Sequence, residues 1–226
     1  MTMKREQGPP RRRTAVLISG RGSNMAALIE AASDPAYPAE IVLVLSSRAN
    51  AAGLETARQA GIATAVADYR AGAAAAEAEI EARLAGHGVD LVSLAGFMRL
   101  LSADFVQRWH DRMINIHPSL LPSFAGLNTH HRALDAGVKL HGCTVHFVRA
   151  AMDNGPIIAQ AAVPVLPGDT PEALGARVLA AEHLLYPKAL ALVAADRVRV
   201  VNELCVFSDR RPEGDGPAVL VSPPGI

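Results

Sequence analysis

Apolar runs of strand length recur along the chain at Ala15–Ser19, Ile41–Ser46, Ile62–Ala67, Val89–Ala95 and Met113–His117, and four of them lead into Ala-rich stretches with helical period. This alternation predicts βα units, which assemble as a parallel sheet with right-handed crossovers, helices on both faces and ligands at the C-terminal strand ends. Two further strand-like runs, His141–Arg149 and Ile157–Val165, flank Asp153-Asn154-Gly155-Pro156, a turn sequence that predicts an antiparallel hairpin added to the sheet. A long helix is expected next, entered at Asp169 or Thr170, with Pro171 in its first turn and Glu172 completing a candidate capping box with Asp169, and reaching about Ala195. Ala71–Ala78 reads as a helix start, and no internal repeat is present. The expected fold is α/β, with a mostly parallel central sheet and one added hairpin.

Half of the 226 residues are apolar and 19% are charged, which suits one globular domain with a real core. Lys plus Arg and Asp plus Glu are 22 each, so no global field gathers nucleic acid or an anionic membrane, and any bound anion must be held locally. The aliphatic run Ala189–Ala195 is far short of the ~20 residues a membrane span needs, and Ala15–Ile18 is too short for a signal-peptide core. A cytoplasmic protein with free thiols at Cys143 and Cys205 is the expectation. Residues 1–13, with Lys4, Arg5, Arg11, Arg12 and Arg13, read as a disordered basic tail, 14–207 as a single catalytic domain, and 208–226, rich in Pro and Gly, as an irregular extension.

Ser19-Gly20-Arg21-Gly22-Ser23-Asn24 joins the first strand to a helix. A glycine turn before a helix N-terminus aims backbone N–H groups and a positive dipole end at one point, which suits a phosphate, although a plain tight turn has the same composition. Met25 stands where the dinucleotide fingerprint needs a third glycine, so one phosphate fits better than two. Asn115 and His117 lie two apart on a strand and face the same way, a hydrogen-bond donor beside a proton carrier, or a structural pair. Asp153 is explained by its turn alone. Leu94–Leu101 at the fourth strand's end can line a pocket for a flat heterocycle or belong to the core. The eight histidines form no compact metal-ligand spacing, and no metal site is expected.

Taken together, Gly20-Arg21-Gly22-Ser23-Asn24, Leu94-Ala95-Gly96-Phe97-Met98-Arg99, Ile114 to Pro122 and Val145-His146-Phe147-Val148 with Asp153 occur in an order and spacing that resemble the phosphoribosylglycinamide formyltransferase family from about Thr14 to Val200. The resemblance implies a Rossmann-like formyltransferase fold and transfer of the formyl group of 10-formyltetrahydrofolate to the amine of glycinamide ribonucleotide, in purine synthesis. Gly22, Ser23 and Asn24 would bind the ribonucleotide phosphate and Glu182 its ribose. Met98, Arg99, Leu100 and Leu101, with Asn115 and the loop Arg149, Ala150, Ala151, Met152 and Asp153, would hold the folate. Asn115, His117 and Asp153 match the family's catalytic trio, with Asn115 stabilising an oxyanion and His117 carrying protons. The implied partners are small molecules, with the protein a monomer or homodimer and the folate a co-substrate.

The sequence departs from the family pattern in three places. Arg149-Ala150-Ala151 stands where acidic residues are usual, Leu179 replaces a polar residue, and a shortened Tyr69–Ala76 leaves Arg70 or Ala73 at the place of the arginine that meets the folate's glutamate tail. Formyltetrahydrofolate deformylase, the alternative, carries an N-terminal regulatory domain that thirteen residues cannot hold. Methionyl-tRNA formyltransferase is longer, with a C-terminal barrel. A nonenzymatic relative is at odds with the intact trio.

Overall fold

The structure, a computed structural model, describes residues 10–208. Strands β1 (Arg12–Ile18), β2 (Ala39–Ser46), β3 (Ala63–Val66), β4 (Leu91–Leu94) and β5 (Met113–His117) alternate with helices α1 (Ser23–Ala32), α2 (Gly53–Gln59), α3 (Ala73–Gly86) and α4 (Ala103–Arg108). After β5 come α5 (Thr129–Asp135), β6 (Leu140–Phe147), β7 (Ile157–Pro164), α6 (Pro171–Ala194) and the hairpin β8 (Val198–Val201) and β9 (Leu204–Phe207). The seven-stranded sheet runs β3-β2-β1-β4-β5-β6-β7. The pairs from β3 through β5 are parallel, and β5-β6 and β6-β7 are antiparallel, which makes the expected mixed sheet.

Both faces of the sheet are covered, and β1 shows how the sequence encodes this. Val16 and Ile18 pack with Met25, Leu28, Tyr186 and Leu190 on one side, while Ala15 and Leu17 pack with Ile80, Leu84, Phe105 and Trp109 on the other. A strand alternates its side chains between faces, so a run apolar at every position belongs in the middle of a two-sided sheet. Helix α6 is entered as its sequence predicts. Thr170 is the cap, its hydroxyl accepting from the Ala173 N–H at 3.2 Å, and Asp169 instead pairs with Arg177 at 2.8 Å.

The N-terminal boundary differs from the expectation. Arg11, Arg12 and Arg13 belong to the fold: β1 begins at Arg12, the Arg11 guanidinium donates to the carbonyls of Tyr37, Ala32 and Ala39, and Arg12 pairs with Asp196 at 2.7 Å. Arg12 and Arg13 interrupt the apolar period yet extend the strand, because their backbone pairs with β2 while their head groups find acceptors. Residues 1–9 of the expected tail and residues 209–226 lie outside the described residues. Strand β6 ends at Phe147, two residues before the expected end, because Phe147 closes the base of the following loop by donating to the Pro156 carbonyl at 2.9 Å. No helix among the described residues is long and apolar enough to cross a membrane.

Candidate active site

Strands β1, β4 and β5 are adjacent and parallel, so their C-terminal ends open on one edge of the sheet, where the order reverses between β1 and β4. Ligands of open α/β sheets bind at such a reversal. The β1 end is tied across it: Ser19 donates its N–H to Gly96 O at 3.1 Å, and its hydroxyl accepts from the Met98 N–H at 2.8 Å.

Gly22 precedes α1 with φ 73, a left-handed conformation, and no side chain caps the helix. The first N–H groups of such a helix lack intrahelical acceptors and remain free for an anion. Behind them Asn24 donates from Nδ2 to Glu182 of α6 at 2.7 Å, while its Oδ1 is buried without a partner. Burial pushes the Glu182 carboxyl above its ordinary range, partly opposed by the Asn24 hydrogen bond. The sequence-distant pair is thus a buried polar corner beside the glycine turn that opens α1.

At the end of β5, Asn115 and His117 point together as their spacing predicts. His117 is 6% exposed and sits between two acceptors, with Nε2 3.1 Å from Phe124 O and Nδ1 3.4 Å from Asp153 Oδ2. Asp153, in the loop between β6 and β7, also accepts the Gly126 N–H at 2.8 Å and adopts φ 51, which aspartate tolerates better than most residues. The trio therefore converges from β5 and a loop thirty-odd residues later.

His146, which belongs to a quoted motif without an assigned task, completes the cluster. It is the β6 residue opposite Asn115, and its Nε2 lies 3.2 Å from Asn115 Nδ2. Burial pushes its pKa down, and Nδ1 faces the Phe147 carbonyl at 2.9 Å, so the neutral ring donates there and accepts the Asn115 amide at Nε2. That fixes the Asn115 amide with its NH2 toward His146 and leaves one N–H free. Only the antiparallel β5-β6 register makes this visible.

The residues expected to hold the folate divide. Met98 and Leu100 are 63% and 75% exposed, Arg99 lies 4.8 Å from the centre of the Tyr69 ring, and Leu101 packs partly into the core. Ala150, Ala151 and Met152 are exposed on the loop. Arg149 is not directed at the opening: its guanidinium is bound by Asp111 and Glu203, each at 2.7 Å. Arg70 is exposed and held by Asp68 at 2.7 Å. Among the described residues no group of three or more His, Cys, Asp and Glu side chains is arranged to hold a metal ion.

Beneath His117, His141 is buried, with Nε2 3.2 Å from His130 Nδ1. Burial, and then the charges of His130 and His117, push His141 down to about 4. An unfolded histidine takes up its proton near ~6.5. The unfolded chain therefore gains a proton first, and the stability His141 contributes above ~6.5 is lost as pH falls toward about 4. His141→Gln should flatten the fall in urea midpoint between pH 7 and pH 4.5, and equal slopes for variant and parent would remove His141 as a cause.

The fold is that of an α/β group-transfer enzyme, with an uncapped helix N-terminus and a cluster of Asn115, His117 and Asp153 on the same edge of the sheet. The family model described as formyl transferase matches residues 12–190. The phosphoribosylglycinamide formyltransferase of Escherichia coli (strain K12) is 44% identical over 203 residues, covering 88% of this chain and 96% of that protein. Glycinamide ribonucleotide transformylase 1 from Symbiobacterium toebii superposes with a TM-score of 0.85 at 46% identity, covering 88% of this chain and 95% of that one. The trifunctional purine biosynthetic protein adenosine-3 of Bos taurus is 52% identical over 85% of this chain, but the chain spans only 19% of that protein's length. The chain belongs to the formyl transferase family, and within it lies with the phosphoribosylglycinamide formyltransferases.

Proposed function

We propose that the protein transfers the formyl group of 10-formyltetrahydrofolate to the primary amine of glycinamide ribonucleotide, giving formylglycinamide ribonucleotide and tetrahydrofolate. The observation that carries this reading is the convergence of Asn115, His117 and Asp153 at the strand ends, on the edge where α1 offers its N-terminus. The nucleophile is the substrate's amine, so no Ser or Cys nucleophile is required. The amine's lone pair attacks the formyl carbon, and the carbonyl oxygen takes the displaced electron pair. The free Asn115 N–H stabilises that negative oxygen. Nitrogen must lose a proton and the departing folate nitrogen must gain one, a task for His117 held against the Asp153 carboxylate. Collapse reforms the carbonyl and breaks the bond to the folate nitrogen.

Incubation with 10-formyltetrahydrofolate, with and without the ribonucleotide, tests it. Formylated ribonucleotide and tetrahydrofolate in equal amounts are the expected products. Formate released at the same rate without the ribonucleotide would instead make the protein a deformylase.

The phosphate is assigned to Gly22, Ser23 and Asn24. A Cβ on Gly22 would stand 3.1 Å from Met25 Cε and 3.2 Å from Gly53 Cα, in a backbone conformation that side chains rarely adopt. Gly22→Val should weaken ribonucleotide binding at least tenfold by isothermal titration and leave folate binding within twofold. Equal losses for both ligands would reduce the turn to a structural part.

A further inference from the structure

Arg149 stands at the head of the loop that carries Asp153, and its side chain is only 13% exposed although it carries a full charge. Nη2 donates to Asp111 Oδ1 at 2.7 Å, Nε to Glu203 Oε2 at 2.7 Å, and Nη1 to the Val148 carbonyl at 3.1 Å. Asp111 lies in the turn from α4 to β5 with φ 57, and Glu203 in the β8-β9 turn with φ 58. Both carboxylates are thus presented by tight turns. Burial pulls the Arg149 pKa down, yet the two carboxylates outweigh it and leave it raised. Glu203 is in turn held below its ordinary range, chiefly by its hydrogen bond to Arg149.

The base of the same loop is closed independently. Phe147 donates to Pro156 O at 2.9 Å, and Gly155 presses so close that a Cβ there would fall 1.7 Å from Phe147 O. Beyond that base an open groove separates the loop from β9, lined by Asn154, Gly155, Ile157 and Leu204, with Arg149 and Glu203 reaching across it. Four residues after Arg149, the Asp153 carboxylate meets Gly126 and His117.

We propose that Arg149 is a positioning residue for the reaction, its twin ion pair clamping the first residue of the Asp153 loop to the α4-β5 turn and to the β8-β9 hairpin. The hairpin is thereby part of the apparatus that sets the Asp153 carboxylate. Its expected effect on turnover rests on the formyl-transfer reading, but its effect on the loop does not.

Arg149→Met keeps most of the stem and removes the fork, leaving two carboxylates that are 40% and 61% exposed and can hydrate. Glu203→Gln is the milder second variant, for use should the first fold poorly. The direct reporter is hydrogen exchange of the Gly126 amide, which donates to Asp153. In Arg149→Met it should speed at least tenfold, with the Ile116 amide of β5 unchanged. The KM for 10-formyltetrahydrofolate should rise severalfold and kcat fall about tenfold, with the ribonucleotide KM within twofold. Arg149→Lys, which keeps the charge without the fork, should recover part of each. Unchanged Gly126 exchange overturns the proposal, as does faster exchange spread evenly over Gly126 and β5, which marks general loosening. Selective Gly126 exchange in a protein whose parent forms no formylated ribonucleotide would uphold the clamp and refute the formyl-transfer reading instead.

Discussion

Asn115→Leu should reduce formyl transfer by about 10²–10³-fold, the scale seen when one oxyanion donor is removed, with little change in the KM of either substrate. Leucine keeps the side chain's volume and branching but has no N–H. The donor matters because His146 fixes its direction: with Nδ1 donating to Phe147 O, His146 Nε2 can only accept, so the Asn115 NH2 must face it at 3.2 Å. A preoriented donor needs no reorganisation as charge develops, which is why its loss should appear in kcat. Leucine also strands the His146 lone pair, at a cost of about 1–3 kcal/mol in stability. Denaturation must therefore show the variant folded under assay conditions. A folded Asn115→Leu enzyme with kcat within threefold of the parent would remove Asn115 from oxyanion stabilisation.

Much of this arrangement is written locally in the sequence. The alternation of strand runs and helical stretches gives the parallel sheet, and a spacing of two is sufficient to aim Asn115 and His117 together on β5. Thr170 and Pro171 announce the start of α6. Contacts between segments far apart in sequence carry no such local sign. His146 becomes a partner of Asn115 only through the β5-β6 register, and Glu182 reaches Asn24 only because α6 packs beside α1. Helix α5 is short, and the β8-β9 turn uses Asn202-Glu203, both at positive φ, rather than the Asn-Gly pair that marks such turns. Arg149 shows the limit most plainly. Its place in the chain belongs to the loop the resemblance gives to folate, yet its guanidinium serves two carboxylates 38 and 54 residues away.

Asp153→Asn should lower turnover a hundredfold or more, the range of acid-base assistance, while leaving the fold intact. Asparagine tolerates the φ of 51 as well as aspartate does, and its Oδ1 can still accept the Gly126 N–H. Its NH2 would then stand where Asp153 Oδ1 now lies, 3.9 Å from the His146 Nε2 that already accepts from Asn115 and beyond hydrogen-bond distance of it. What the substitution removes is the negative charge 3.4 Å from His117 Nδ1. Opposite unit charges about 4 Å apart near a protein surface interact by about 4 kcal/mol, and a hundredfold in rate needs ~2.7 kcal/mol, so the lost charge is large enough to account for the effect. The side chain is only 10% exposed, so water screens little of it. Were the carboxylate merely a turn former, asparagine would serve equally well and turnover would hardly change. Single-turnover formyl transfer across pH 5.5–9 separates the two roles: a hundredfold loss with an altered profile places Asp153 in proton transfer, whereas rates within threefold and an unchanged profile would leave His117 to act without it.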